Sequence, residues 1–261
     1  MAVQRAPMAV QRVQRLALLR CLLAQVGFLA VGALYRRFRV GAVATSAQVE
    51  PYALAWQEAG RIADQTDGPL WAVLGDSAAQ GIGADAHDAG YVGQLRHHIE
   101  ERSGHPWWLT NLSRSGARAA DVVATQLPAL AALPVTPQLV TCAIGGNDLL
   151  RTPLRHLVPT FREIISALPA GAVLATLPQG LANRRARHVN AVIRAEAPPA
   201  GLRVADLWAH TGPPWQGKYA NDMFHPNAVG YADWAAAFAE AILCPTAAPH
   251  ENSDLEAWCL E

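Results

Sequence analysis

Trp71-Ala72-Val73-Leu74-Gly75-Asp76-Ser77-Ala78-Ala79-Gln80-Gly81-Ile82-Gly83 is the stretch on which the reading of this chain turns. The four apolar residues Trp71 to Leu74 are too few for a helix and suit a buried strand, and Gly75-Asp76-Ser77 stops the run abruptly. A strand end therefore presents a serine hydroxyl. Ligands bind beyond the carboxyl ends of parallel strands, so this hydroxyl stands where chemistry can be done. Alone, Gly-Asp-Ser reads more simply as a turn in which Asp76 and Ser77 satisfy local backbone donors. Its meaning rests on what accompanies it.

Outward from this stretch, short apolar runs alternate with longer helical ones from Gly68 onward, the pattern of βαβ units and a parallel sheet. The runs are 71–74, 107–112, 138–144, 172–177 and 202–207. Helices are predicted over 90–102, ending at Gly104, and over 117–132, 154–168, 182–197 and 226–243. Five strands with intervening helices predict an α/β fold, a three-layer α/β/α sandwich occupying residues 68–244. The chain of 261 residues, 51% hydrophobic and 16% charged, is long enough for one such core with extensions.

The flanks differ in character. Residues 1–45 form a basic and apolar arm with seven arginines before residue 40 and no carboxylate until Glu50. Its apolar run 21–35 covers about 22 Å as a helix against a hydrocarbon core of roughly 30 Å; begun at Leu16, it just spans. Residues 13–39 are therefore expected to meet a membrane, spanning it or lying on it, with a helix packed on the protein's own core as the alternative. Arg36, Arg37 and Arg39 before Ala42-Val43-Ala44 fit a secretory cleavage site poorly, so membrane association is favoured over a secreted or freely cytoplasmic protein. Residues 46–67 read as an amphipathic connecting helix with Tyr52, Ala55, Trp56, Ala59 and Ile62 at helical spacing. Residues 245–261 read as a disordered tail. A net charge of zero, without a zinc-type cysteine cluster or a Walker-type loop, gives no reason to expect nucleic acid as a partner. Cys21, Cys142, Cys244 and Cys259 are too scattered for a disulfide framework.

Each of the first three strands runs into a polar, glycine-containing turn: Gly75-Asp76-Ser77, then Asn111-Leu112-Ser113-Arg114-Ser115-Gly116-Ala117, then Gly145-Gly146-Asn147-Asp148. A parallel sheet gathers them at one rim, although Gly116 alone suits an ordinary turn and Asn147 an ordinary helix cap. The fourth block is Asn221-Asp222-Met223-Phe224-His225-Pro226. Pro226 suits the first position of the following helix and holds His225 extended. Asp222, three residues earlier, is close enough to accept from one ring nitrogen and leave the other as a base. The same pair also suits a structural helix start, and as a metal site it lacks a third ligand. Asp76 and Asp148 are expected to pin their loops, Cys142 to be a small buried hydrophobe, and Arg184, Arg185 and Arg187 to form a solvated face.

These four blocks, in this order, resemble the SGNH hydrolases, also called the GDSL esterase and lipase family, over about residues 70–242. Ser77, Gly116, Asn147 and His225 match the four family letters. The resemblance implies a flavodoxin-like sandwich with a five-stranded parallel sheet, hydrolysis of carboxylic (acyl or acetyl) esters through an acyl-serine intermediate, and no cofactor and no metal. It assigns the oxyanion hole to the backbone N–H groups of Ser77 and Gly116 and the side-chain amide of Asn147. In that scheme Ser77 is the nucleophile, His225 the general base and acid, and Asp222 its orienting partner. The expected partner is a small-molecule or lipid ester. Acyl transfer through the same acyl-serine is the alternative reaction, and a non-catalytic binding module that retains the sandwich is the alternative class. Ser77 lacks the Gly-x-Ser-x-Gly elbow of α/β-hydrolases, having Gly75 and Ala79 around it.

Overall fold

The computed structural model describes residues 8–63, 68–180 and 182–243, with side chains from residue 35 onward. The strands are β1 (Leu70–Gly75), β2 (Trp108–Asn111), β3 (Leu139–Ala143), β4 (Val173–Ala175) and β5 (Arg203–Ala205). All neighbouring pairs are parallel, in the order β2-β1-β3-β4-β5. The helices are α1 (Met8–Ala63), α2 (Tyr91–Ser103), α3 (Ala119–Asp121), α4 (Leu127–Ala131), α5 (Leu154–Ala167), α6 (Asn183–Glu196), α7 (Leu207–His210) and α8 (Ala228–Leu243).

Every residue of β1 is buried, as a central parallel strand requires, and its side chains alternate between two cores. Trp71 and Val73 pack with Tyr91 and Leu95 of α2 and Tyr231 and Phe238 of α8. Ala72 and Leu74 pack with Phe161 and Ile164 of α5 and Val189 and Ile193 of α6. Helices cover both faces, giving the three layers expected. The Trp71 indole N–H, buried with its ring, donates to Thr141 Oγ1 at 2.9 Å and so leaves no orphaned donor.

Local chemistry accounts for the helix ends. α2 stops at Gly104, whose φ of 70° provides the left-handed cap and whose N–H donates to the Glu100 carbonyl. α8 begins at Ala228, two residues later than Pro226 suggested, because the Asn227 side chain accepts from Gly230 N at 3.1 Å and caps the helix. The helix expected over 117–132 is broken by a π turn, Val122–Gln126, between α3 and α4. That turn carries Gln126 inward, where its amide accepts from Gly75 N and donates to Gly75 O, both at 2.8 Å.

A single helix, α1, covers the stretch that the sequence divides into an arm and a connecting helix, continuing through Pro51. Trp56 is buried and Ala59 packs on the same core, while Ile62 is exposed and Ala63 takes the inward position. Of residues 13–39, expected to meet a membrane, and of their apolar run 21–35, side chains are described only from Tyr35 onward, and the tail 245–261 lies outside the described residues. Among the described residues, no helix is long and apolar enough to cross a membrane.

Gln126→Ala leaves the buried Gly75 N–H unpaired at the end of β1, and the expected loss of folding stability is about 1–3 kcal/mol. Urea unfolding of wild type and variant measures it; an unchanged midpoint means the clamp contributes nothing.

Candidate active site

The sheet order reverses between β1 and β3, since the chain leaves β1 for one side and returns to the other. At such a point the loops after the two strands splay apart and open a crevice. Ser77 lies in the loop after β1. Its carbonyl accepts from Gln80 N at 3.2 Å and Ile82 N at 3.0 Å, winding residues 77–82 into a tight turn. The loop before α8 supplies the other two groups. It is closed by Ala220 N donating to His225 O and Met223 N donating to Ala220 O, both at 2.9 Å, with Met223 in the left-handed region at φ 56°.

Within this frame the serine, histidine and aspartate expected from the sequence are joined in line. Ser77 Oγ lies 3.0 Å from His225 Nε2, and His225 Nδ1 lies 2.6 Å from Asp222 Oδ2. The second Asp222 oxygen, Oδ1, accepts from the backbone N–H groups of Phe224 and His225, both at 3.0 Å. Burial by itself would raise the Asp222 pKa, but the bonds from the His225 ring and the two amides outweigh it and hold the group at about 2, below 3.8. An ionised acceptor on Oδ2 places the proton on Nδ1 and leaves Nε2 to accept from the serine hydroxyl. The Phe224 ring stands edge-on to the imidazole, centroids 4.9 Å apart.

Asn147 joins the turns after the first three strands. Its Nδ2 donates to the Ala117 carbonyl at 3.0 Å and stands 3.5 Å from Asp76 Oδ2, a marginal contact. Among the described residues, the backbone N–H groups of Ser77 and Gly116 donate to no protein atom. Gly116 has φ 80°, and a Cβ there would meet nothing within 4 Å, so backbone conformation and not crowding favours glycine. Asp76 is buried with Oδ1 accepting from Ala78 N at 3.0 Å; burial pushes its pKa up to about 6, the Ala78 bond opposing.

Asp148 reaches further than its own loop, accepting from Ala119 N at 2.8 Å and from Thr152 Oγ1 at 2.5 Å. Cys142 is buried, and burial with Asp76 nearby pushes its thiol up to about 12, consistent with a small hydrophobe. Arg185 departs from the solvated face, being half-buried and donating to the Thr152 carbonyl. Sequence reasoning missed Gln80, whose Nε2 donates to Ser113 O at 2.9 Å while its Oε1 accepts from Ser115 Oγ at 2.7 Å, tying the first turn to the second. It follows Ser77 by three residues, but no pattern marks a loop glutamine as a clamp.

Ser77 and His225 open on a cavity of about 640 Å³. Apolar side chains dominate its wall, among them Leu149, Leu177, Trp215, Met223 and Phe224. Among the described residues, no group of three or more His, Cys, Asp or Glu is placed to hold a metal ion.

A five-stranded parallel sheet flanked by helices, with a serine hydroxyl bonded to an imidazole beyond its strand ends, is the architecture of a hydrolase. The chain belongs to the GDSL-like lipase/acylhydrolase family, the SGNH hydrolases, whose family model matches residues 73–232, more than half its length. Several solved structures are similar. Lip_vut3, a lipase from a goat rumen metagenome, is 18% identical with a TM-score of 0.56, over 67% of this chain and 97% of its own. TesA is 25% identical with a TM-score of 0.55, over 66% of this chain and 97% of its own. Axe2, an acetylxylan esterase from Geobacillus stearothermophilus, is 20% identical with a TM-score of 0.55, over 67% and 94%. No curated protein matches the chain.

The two carboxylates give opposite pH dependences. Asp222 is held below its unfolded value, so its contribution is present above pH 3.8 and is lost as pH falls toward about 2. Asp76 is raised, so its contribution is full below pH 3.8 and is lost as pH rises toward about 6. Urea unfolding at stepped pH is expected to show the acid-side loss shrink in Asp222→Asn; an unaltered acid limb would mean that Asp222 is not held in this way.

Proposed function

We propose that the protein hydrolyses carboxylic esters through an acyl-serine intermediate, with Ser77 as nucleophile, His225 as general base and acid, and Asp222 orienting the imidazole. The observation that carries this reading is the 3.0 Å contact from Ser77 Oγ to His225 Nε2 at the cavity wall. A serine hydroxyl is a weak nucleophile at neutral pH; as it attacks the ester carbonyl, its proton passes to Nε2. Asp222, ionised and 2.6 Å from Nδ1, stabilises the imidazolium that forms. The tetrahedral oxyanion is received by the free N–H groups of Ser77 and Gly116 and by Asn147, whose second N–H is committed only to the 3.5 Å contact with Asp76. Collapse expels the alcohol, which takes the proton from Nε2. Water then repeats the sequence and releases the acid.

The apolar wall favours an acyl chain of several carbons over acetyl, because each buried methylene contributes about 0.8 kcal/mol while an acetyl group leaves most of the wall uncovered. α1 supports contact with a membrane surface: Tyr35, Phe38, Val40 and Val43 are exposed beside Arg36, Arg37 and Arg39. Co-sedimentation of the full chain with anionic vesicles, weakened by Phe38→Ser, tests that contact; equal sedimentation without vesicles counts against it.

A chain-length series of chromogenic esters is expected to give kcat/KM rising from acetyl to longer acyl groups, with Ser77→Ala inactive and unlabelled by an organophosphonate. Asn147→Ala is expected to lower kcat by about 10²–10³-fold, about 3–4 kcal/mol. Undiminished turnover in Ser77→Ala would end the reading, and undiminished turnover in Asn147→Ala would remove that residue from the oxyanion site.

A further inference from the structure

We propose that α1, which precedes the family match, is a working brace of the active site. One face of it holds the Ser77 loop and the Asp222–His225 loop at their reacting separation, with Gln48 as the central positioning residue. This rests on the functional reading above and extends it to residues that the match beginning at 73 does not include.

Arg37, Gly41, Gln48, Tyr52 and Trp56 recur at intervals of four and seven, which puts them on one face of a helix. That face meets both loops. Arg37 Nε donates to Asn221 Oδ1 at 3.2 Å. Gly41 lies so close to the backbone of Asn221 and Asp222 that a Cβ there would collide with it. About two turns further along, on the Ser77 side, Gln48 Oε1 accepts from Gly83 N and its Nε2 donates to Ala84 O, both at 2.9 Å. Tyr52 Oη donates to the same Ala84 carbonyl at 2.9 Å, and Trp56 Nε1 donates to Gln80 O at 3.1 Å.

What these bonds hold is the approach of base to nucleophile. Gly83 is packed directly on the histidine: a Cβ built on it would stand 2.7 Å from His225 Cβ and would also collide with the Pro226 carbonyl. The Gln48 bond to the Gly83 amide is therefore one packing contact from His225 Cβ, the atom that carries the imidazole. Ser77 and His225 are 148 residues apart in sequence and sit on irregular loops. Tyr231 Oη secures Ile82 O at 2.7 Å from the α8 side, but among the described residues the only side chains hydrogen-bonded to Gly83 and Ala84 come from α1. A stiff helix in contact with both loops fixes their separation as neither loop can alone.

The test uses the full chain, comparing wild type with Gln48→Ala, Gly41→Leu and, as a control on the exposed face of the same helix, Glu58→Ala. Steady-state kinetics on a short soluble ester are paired with the low-field proton resonance of the His225 Nδ1–H to Asp222 bond. Gln48→Ala is expected to lower kcat on the order of 10-fold to 100-fold with little change in KM, as a misplaced base would, and to move the resonance. Gly41→Leu, where it folds, is expected to do the same more strongly, and Glu58→Ala to do neither. If Gln48→Ala lowers the melting temperature yet keeps kcat and the resonance at wild-type values, α1 is only a stabilising element and the proposal fails. Wild type without ester turnover would instead overturn the functional reading, and the resonance alone would then decide whether α1 holds the histidine.

Discussion

The reversal of strand order between β1 and β3 is the constraint on which the rest of the molecule depends. Two adjacent parallel strands whose connections leave in opposite directions cannot both be covered at their carboxyl ends by their own crossovers, so a crevice opens there. The turn after β1 supplies Ser77, the turn after β3 supplies Asn147, and the turn after β2, beside β1 on its other edge, supplies Gly116. His225 and Asp222 arrive from the opposite end of the domain because α8 returns along the face on which Trp71 and Val73 lie. The site is thus assembled from loops, and loops have no ladder of their own to hold them.

Neutral amides take over where the ladder stops. Gln126 pairs with both N and O of Gly75, Asn190 pairs with both N and O of Leu177 at 2.7 and 2.9 Å, and Gln48 pairs with Gly83 N and Ala84 O. Each presents one donor and one acceptor at fixed spacing, as the edge of a neighbouring strand would. A carboxylate could accept but not donate, and would have to lose its hydration; a hydroxyl is too short to meet both partners. Around a cavity walled mainly by apolar side chains, an uncharged group that satisfies two backbone atoms at once is the least costly means of fixing a loop.

The fold was legible because it is written in runs. Four of the five strands fall inside the apolar stretches 107–112, 138–144, 172–177 and 202–207, and β1 extends 71–74 by one residue at each end, since β-strands buried between helices need largely apolar sequence. Ser77, Gly116, Asn147, Asp222 and His225 were legible because local spacing marks them: a strand precedes each of the first three, and Asp-x-x-His marks the last two. Gln48, Gln80 and Gln126 carry no such mark, because what they bind lies 35, 33 and 51 residues away and, apart from the Ser115 hydroxyl on Gln80, is backbone, which any sequence supplies. The continuity of α1 was hidden for a similar reason. Pro51 and the change from basic to acidic composition look like a boundary, but the face running from Arg37 to Trp56 crosses it and bonds to the loops that carry Ser77 and His225 on both sides of it.

Two buried aspartates flank the serine and histidine, and their surroundings shift them in opposite directions. Asp222 receives three N–H donors, one from the imidazole and two from the backbone, and stays ionised down to about pH 2. Asp76 receives one short N–H bond and one long contact from Asn147, too little to offset burial, and is pushed up to about 6. A carboxylate whose charge is already held by fixed donors does not draw the Nδ1 proton onto itself, which under the proposed reading suits Asp222 to orient His225. Asp76, beside Ser77, has less to hold its charge: burial is opposed mainly by the one amide bond from Ala78. The difference between them lies in the imidazole bond and one further backbone amide, brought by the tight turn at Met223 that carries Phe224 and His225 back onto Asp222.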